Sequence, residues 1–258
     1  MPNTALITGA SSGIGAEFAR YHARKGGDLV IVARRKEPLD ALKVELENAR
    51  SVSVTVIDMD VGTPEQAKKL YEIVKSQGID VDILINNAGF GGHGAFLDRD
   101  LATDQAMIDL NVSALITLSH LFGNDMKVRG GGKMLHVSST ASFIPGPYQA
   151  VYYATKAFVT SFSQAIDQEM RKYGITSTAL CPGLVETEFV ASANLEGTGL
   201  ARQKGATPES VAKCGYDAML KGELIAINDR RLRFMLNWIT PLVSRRHVLK
   251  MIEGMQTK

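Results

Sequence analysis

Thr4-Ala-Leu-Ile-Thr8-Gly9-Ala-Ser11-Ser12-Gly13-Ile14-Gly15-Ala-Glu-Phe-Ala-Arg-Tyr21 starts as a short β-rich apolar run, breaks into a glycine-rich turn and continues in a helical pattern. A strand that feeds such a turn and then a helix points backbone N–H groups and the positive end of a helix dipole at one spot. That arrangement holds a pyrophosphate without basic side chains. Gly9, Ser11, Ser12, Gly13, Ile14 and Gly15 are therefore candidates for binding a dinucleotide. The same stretch also satisfies G-x-S-x-G, the nucleophile elbow of serine hydrolases, through Gly9-Ala-Ser11-Ser-Gly13. An elbow so early needs an acid and then a histidine downstream. Of the histidines at 22, 93, 120, 136 and 247, only His247 lies late in the chain, in a basic amphipathic tail, so the dinucleotide reading is preferred.

Working outward, short apolar runs at 4–8, 28–33, 52–57, 82–86, 132–138, 175–181 and 223–227 alternate with amphipathic stretches. This alternation predicts an α/β fold, a single Rossmann-type doubly wound parallel sheet of about seven strands with helices on both faces. Ligands in such sheets sit beyond the carboxyl ends of the strands. Gly9, Arg34, Asp60, Asn87, Ser139 and Pro182 all follow predicted strands. The 258 residues are 45% hydrophobic and 22% charged, which fits one globular domain and excludes disorder. A net charge of +2 gives no nucleic-acid footprint. Cys181 and Cys214 are too few for a disulfide framework, and no metal-ligand spacing is present. The first strand begins by residue 4, leaving no room for a secretory leader, and no apolar run reaches spanning length. The expectation is a cytoplasmic protein.

The candidate chemistry lies in Ser139-Thr-Ala-Ser-Phe-Ile-Pro-Gly-Pro-Tyr-Gln-Ala-Val-Tyr152-Tyr-Ala-Thr-Lys156. Residues four apart share a helix face, which brings an ammonium at 156 toward a phenol at 152. At about 4 Å and an effective dielectric near 20, that charge favours a phenolate by about 4 kcal/mol, lowering its pKa by about three. Such a tyrosine would exchange protons near neutral pH.

Together these residues resemble the short-chain dehydrogenase/reductase family across residues 3–228. The matching motifs are Thr8-Gly9-x-x-x-Gly13-Ile-Gly15, Asp60-Val61, Asn86-Asn87-Ala88-Gly89, Asn111-Val112, Ser138-Ser139, Tyr152-x-x-x-Lys156 and Pro182-Gly183-Leu-Val-Glu-Thr187. The resemblance implies that Tyr152 is the general acid/base and that Ser139, rather than Ser138, binds the reacting oxygen. Lys156 would assist the tyrosine and hold the nicotinamide ribose, and Asn111 would support Lys156 through a water. It further places Asp60 and Val61 at the adenine, Asn87, Ala88 and Gly89 at the adjoining ribose, and Val185 and Thr187 at the carboxamide, with Pro182 and Gly183 beside them. Members commonly form dimers or tetramers, so a homo-oligomer is expected.

After the second strand an NAD enzyme usually places a carboxylate for the ribose hydroxyls. Here Ala33 is followed by Arg34 and Arg35, and a guanidinium can pair with a 2′-phosphate. NADP(H) is expected over NAD(H), although Ser12 stands where many NADP members carry a basic residue. The substrate is expected to be a hydrophobic small molecule bearing a carbonyl or secondary alcohol, lined by Phe90 to Phe96, Phe143, Ile144, Tyr148, Leu184, Phe189 and Val190. His93 reads as a loop histidine in water. An NADP(H)-binding regulatory or scaffold protein of the same fold is the alternative.

Residues 1–228 form the catalytic and dinucleotide-binding domain in this reading, and 229–258 an amphipathic extension packed on it or on a neighbouring subunit. Leu232, Leu236, Trp238 and Ile239 are expected to be buried against protein. A membrane surface is the competing partner for the basic amphipathic tail.

Overall fold

The computed structural model describes residues 3–258. Its strands are β1 (Ala5–Thr8), β2 (Leu29–Ala33), β3 (Val54–Asp58), β4 (Ile83–Asn86), β5 (Gly132–Val137), β6 (Ile175–Leu180) and β7 (Ile225–Ala226). They form one sheet in the order β3-β2-β1-β4-β5-β6-β7, with every pairing parallel. The helices are α1 (Gly13–Arg24), α2 (Lys36–Ala49), α3 (Pro64–Ser76), α4 (Leu101–Ile108), α5 (Leu115–Arg129), α6 (Ala150–Met170), α7 (Phe189–Ser192), α8 (Pro208–Lys221), α9 (Arg230–Phe234) and α10 (Arg245–Gln256). The predicted strand over 223–227 shrinks to two residues, because β7 pairs only with the end of β6, at Ala179 and Leu180.

The strands read as nearly unbroken apolar runs because both faces of the sheet are covered. Successive residues point to opposite faces. Ala5 and Ile7 of β1 therefore enter the core beneath α1, α2 and α8, with Phe18, Leu39 and Tyr216. Leu6 enters the opposite core beneath α3 and α5, with Leu70, Leu118 and Phe122. Thr63 begins α3 with a reciprocal cap, its hydroxyl accepting from Gln66 N and the Gln66 side chain accepting from Thr63 N.

The stretch Leu101–Arg129 is helical throughout: α4 and α5 are joined by a π-helical turn over Asp109–Ala114. At 29 residues it is, by length and composition alone, long and apolar enough to span a membrane. Its apolar residues Leu115, Leu118, Phe122 and Met126 are spent on the core of this domain instead.

From β1 the chain winds outward to β3 and then returns to β4 on the other side of β1. The loops after β1 and β4 therefore diverge at the carboxyl edge of the sheet, opening the crevice where such folds bind ligands. Phe18 is wholly buried between α1 and the sheet. Phe18→Ala should cost roughly 3–5 kcal/mol of stability in urea unfolding; a loss under 1 kcal/mol would mean this core is far looser than described.

Candidate active site

The crevice begins at the turn after β1. Gly9 and Gly13 take φ of +68° and +56°, conformations that L side chains seldom adopt. A Cβ on Gly15 would fall onto the Gly9 carbonyl oxygen, and one on Gly9 would crowd the Asn87 amide. That amide donates to the carbonyls of Thr8 (2.9 Å) and Gly9 (3.1 Å), while Thr8 Oγ1 accepts from Asn87 N (3.1 Å) and Ala88 N (3.0 Å). Asn87 thus braces the turn, and its side-chain amide and backbone N–H are already committed rather than free for a ribose. The side chain of Ser12, the N-cap of α1, makes no capping hydrogen bond, so the first-turn N–H groups of Gly13 and Ile14 border the crevice uncapped.

One cleft of about 1090 Å³ runs from this turn toward α6. That volume is at the upper end for small-molecule sites, about 300–1000 Å³, and gives room for a dinucleotide. Of the sequence-derived candidates, Gly9, Ser11, Ser12, Gly13, Ile14, Arg34, Arg35, Asp60, Val61, Asn87, Ala88, Gly89, Ser139, Tyr152, Lys156, Pro182, Gly183, Val185 and Thr187 border it. Gly15 and Asn111 lie behind the wall. The glycine turn, uncapped helix start and paired arginines fit a phosphate-bearing dinucleotide.

The two adjacent serines separate clearly. Ser138 is 2% exposed, and its hydroxyl is tied to Lys156 O (2.9 Å) and Thr160 Oγ1 (2.7 Å). Ser139 faces the cleft beside Tyr152; its hydroxyl makes a long 3.5 Å bond to Pro182 O and accepts from Ala141 N at 3.1 Å.

Tyr152 is 8% exposed, with its ring against Phe189 at 5.4 Å between centroids. Burial drives its phenol far above the ordinary tyrosine range, and the Ser139 hydroxyl pulls it only partly back. Lys156 Nζ donates to Val137 O at 2.8 Å and lies 5.8 Å from the Tyr152 ring centroid. Burial lowers its pKa from 10.5 to about 8. The expected lowering of the tyrosine by a neighbouring ammonium is absent from this geometry: desolvation dominates the phenol, and the ammonium is turned to the Val137 carbonyl.

Asn111 sits in the π-helical turn and is 1% exposed. Its amide donates to Phe90 O (3.0 Å) and Thr155 Oγ1 (3.1 Å), and its Oδ1 accepts from Phe90 N (3.2 Å). Single π turns recur at functional sites, and here the extra residue turns a polar side chain into the core behind the loop after β4.

Sequence reading missed three groups. Glu188 bonds Arg35 Nη2 at 2.9 Å and Ser12 Oγ at 3.1 Å, while Arg35 Nη2 also donates to Ser12 Oγ at 2.9 Å. The guanidinium holds the Glu188 carboxyl below its usual range. Arg34 is exposed and makes no side-chain hydrogen bond among the described residues. Gln149 is 2% exposed, lines the cleft one helical turn before Tyr152 and leaves Oε1 without a partner; the i, i+3 spacing to Tyr152 was its only signal. Gln256 donates to Tyr153 OH at 3.1 Å, and its carbonyl accepts from His93 Nε2 at 2.7 Å. His93 is thus half-buried and stacked on Tyr148, not in water.

Phe90, Leu184 and Phe189 line the cleft as expected, whereas Phe96 is 62% exposed away from it. Val248, Ile252 and Met255 of α10 pack with Tyr152, Tyr153 and Phe90, so the tail closes the tyrosine side of the cleft. In the tail Leu236 is buried and Leu232 half-buried, but Trp238 and Ile239 are 67% and 46% exposed. Burial of all four against this domain is therefore not what the fold does. The π-helical turn over Met235–Ile239 and Pro241 turn the second pair outward.

Residues 3–197 match the family model of the short chain dehydrogenases. The chain is 27% identical over 229 residues to an uncharacterized oxidoreductase of Staphylococcus saprophyticus, covering 89% of this chain and 96% of that protein. A solved short-chain dehydrogenase from Sphingobium yanoikuyae in complex with NADPH is 30% identical, with a TM-score of 0.85 over 94% of this chain and 93% of that one. The bulky-bulky ketone specific alcohol dehydrogenase from Comamonas testosteroni is 28% identical, with a TM-score of 0.78 over 96% and 99%.

Lys156 carries a pH signature. Unfolded, it keeps its proton to the ordinary value of 10.5; folded, it gives it up near 8. The unfolded chain therefore binds more protons in that window, and stability rises with pH through it, the contribution vanishing as pH falls below 8. Urea unfolding of the parent and Lys156→Met from pH 7 to 10 should show the parent gaining on the variant above pH 8. A constant gap between them would mean that Lys156 titrates normally.

Proposed function

The chain belongs to the short-chain dehydrogenase family, and from that premise we propose that it is an NADP(H)-dependent oxidoreductase acting on a carbonyl or secondary alcohol of a hydrophobic small molecule. The observation that carries this reading is one cleft in which Ser139 and Tyr152, backed by Lys156, adjoin an apolar wall at one end and the glycine turn at the other. A merely structural cluster would not need a serine hydroxyl so weakly engaged beside a buried phenol.

The nicotinamide ring, when bound, supplies or accepts the hydride at the substrate carbon. The uncapped start of α1 and the backbone of Ser11 to Ile14 would hold the phosphates, with Asp60 and Val61 toward the adenine and Val185 and Thr187 toward the carboxamide. Ser139 donates a hydrogen bond to the substrate oxygen and stabilises the negative charge that grows there during reduction. Tyr152 gives its phenolic proton to that oxygen, or takes it in the oxidative direction. A phenol held protonated by burial is in the right state to act as the acid in reduction. Lys156 would hold the nicotinamide ribose and supply the positive charge that makes loss of the tyrosine proton affordable in the closed cleft. Asn111 fixes the loop at Phe90 and, through Thr155, the turn of α6 between Tyr152 and Lys156.

Preference for NADP(H) is supported by Arg34 and Arg35 at the end of β2, where Ala33 replaces a carboxylate, and by the NADPH complex of the Sphingobium relative. A hydrophobic substrate is supported by Phe90, Phe189, Leu195 and Leu200 along the wall, and by the bulky ketones of the Comamonas relative.

The test is consumption of NADPH across a panel of hydrophobic ketones and aldehydes. Tyr152→Phe should bind NADPH as the parent does and lose turnover by on the order of 10²–10⁴-fold, the usual contribution of a positioned acid. Retained activity would sink the assignment, and tight NADPH binding with no turnover by the parent would favour a regulatory protein.

Cofactor titration supplies a separate prediction. Arg34→Ala and Arg35→Ala should each weaken NADPH by up to about 1.5–3 kcal/mol, as for hydrogen bonds to a charged group, while leaving NADH nearly unchanged. Equal losses for both cofactors would show that neither arginine reads a 2′-phosphate.

A further inference from the structure

Between Arg230 and Ile252 the chain carries Arg230, Arg231, Arg233, Arg245, Arg246 and Lys250 and no Asp or Glu. All six cations are exposed, and none forms an ion pair among the described residues. The same segment shows solvent Phe234 (60% exposed), Met235 (41%), Trp238 (67%), Ile239 (46%) and Leu242 (86%). Their spacing places them along one side of the helical run that ends at Leu242. The opposite side anchors the segment: Leu236 is buried with Cys181, Phe143 and Ile144, and Val248 and Ile252 pack on Tyr152 and Tyr153. A firmly held hairpin thus turns an aromatic and aliphatic surface outward at the substrate end of the cleft, accompanied by six cations, with Asp229 and Glu253 only at the two ends of the segment.

We propose that this hairpin seats on an anionic lipid bilayer, with Trp238 and Leu242 entering the interface and the arginines meeting lipid phosphates. Contiguous apolar surface of this kind marks an interaction site. Indole and long cationic side chains both suit a boundary that is apolar below and charged above. The charge pattern selects lipid over a second copy of the chain. A two-fold dimer through this face would set each patch against itself, arginine facing arginine, with no carboxylate in the segment to pair with. An anionic surface offers the complementary charge across the whole patch.

Trp238 is the only tryptophan of the chain, so its fluorescence reports on this surface alone. Adding phosphatidylcholine vesicles containing phosphatidylglycerol should shift its emission to the blue and carry the protein into the floating fraction. Phosphatidylcholine alone should bind at least tenfold more weakly, and high salt should reverse the binding. Arg245→Glu/Arg246→Glu and, separately, Leu242→Ser should each lower partition several-fold with unchanged circular dichroism, two variants that fail for different physical reasons. Emission indifferent to anionic vesicles would overturn the proposal. So would emission already blue in lipid-free buffer and tracking a concentration-dependent dimer in sedimentation, which would assign the face to a second copy.

Discussion

The Asn87 side chain closing onto the carbonyls of Thr8 and Gly9 is the contact on which the rest of the site depends. It joins the loops after β1 and β4 at the one place where the winding of the sheet reverses, donating to both carbonyls of the turn. Side chains are excluded there for a geometric reason: anything larger than hydrogen on Gly9 or Gly15 would occupy the space of that amide or of the Gly9 carbonyl. With the turn pinned, α1 starts at the crevice with its first N–H groups uncapped. The loop beyond Ala88 then runs so close to the π-helical turn and to α6 that a Cβ on Gly89 would lie 2.8 Å from Asn111 Oδ1 and 3.5 Å from Lys156 Nζ. Phosphate end and proton-transfer end are thereby fixed relative to each other by the amide side chains of Asn87 and Asn111, which grip the backbone of the two loops.

The sheet was legible because parallel strands covered on both faces leave unbroken apolar runs, and all seven appear near their expected places. β7 was overestimated because the chain lies alongside only the last two residues of β6, Ala179 and Leu180, a tertiary register that its own residues do not encode. The fourfold spacing of Tyr152 and Lys156 correctly gave a shared helix, but not the direction of the lysine. Val137 O captures the ammonium, and a contact across nineteen residues has no local signature. Of the two adjacent serines, the structure turns the Ser138 hydroxyl inward to Thr160 and leaves Ser139 facing the cleft.

The tail was the least legible segment, because its apolar residues serve two surfaces at once. The sequence identified an amphipathic extension, yet the π-helical turn over Met235–Ile239 rotates one part of the apolar stripe away from the domain. The role of Gln256 was equally hidden. Its bonds to His93 and Tyr153 connect positions 163 and 103 residues away, so the far end of the chain steadies the helix face that carries the tyrosine.

Arg35, Ser12 and Glu188 form a closed triangle across the mouth of the cleft. The Arg35 guanidinium is already paired within the chain, so an anion that reaches it exchanges with the Glu188 carboxylate, whereas the neighbouring Arg34 stands unpaired among the described residues. Affinity for that anion is then a difference between two pairings rather than the strength of one. Its dependence on ionic strength is accordingly flatter than a count of arginines would suggest, since salt weakens both partners alike. Departure from Arg35 is eased by the same exchange, because Glu188 can pair with it again as the anion leaves. A site arranged like this favours turnover of its charged ligand over retention.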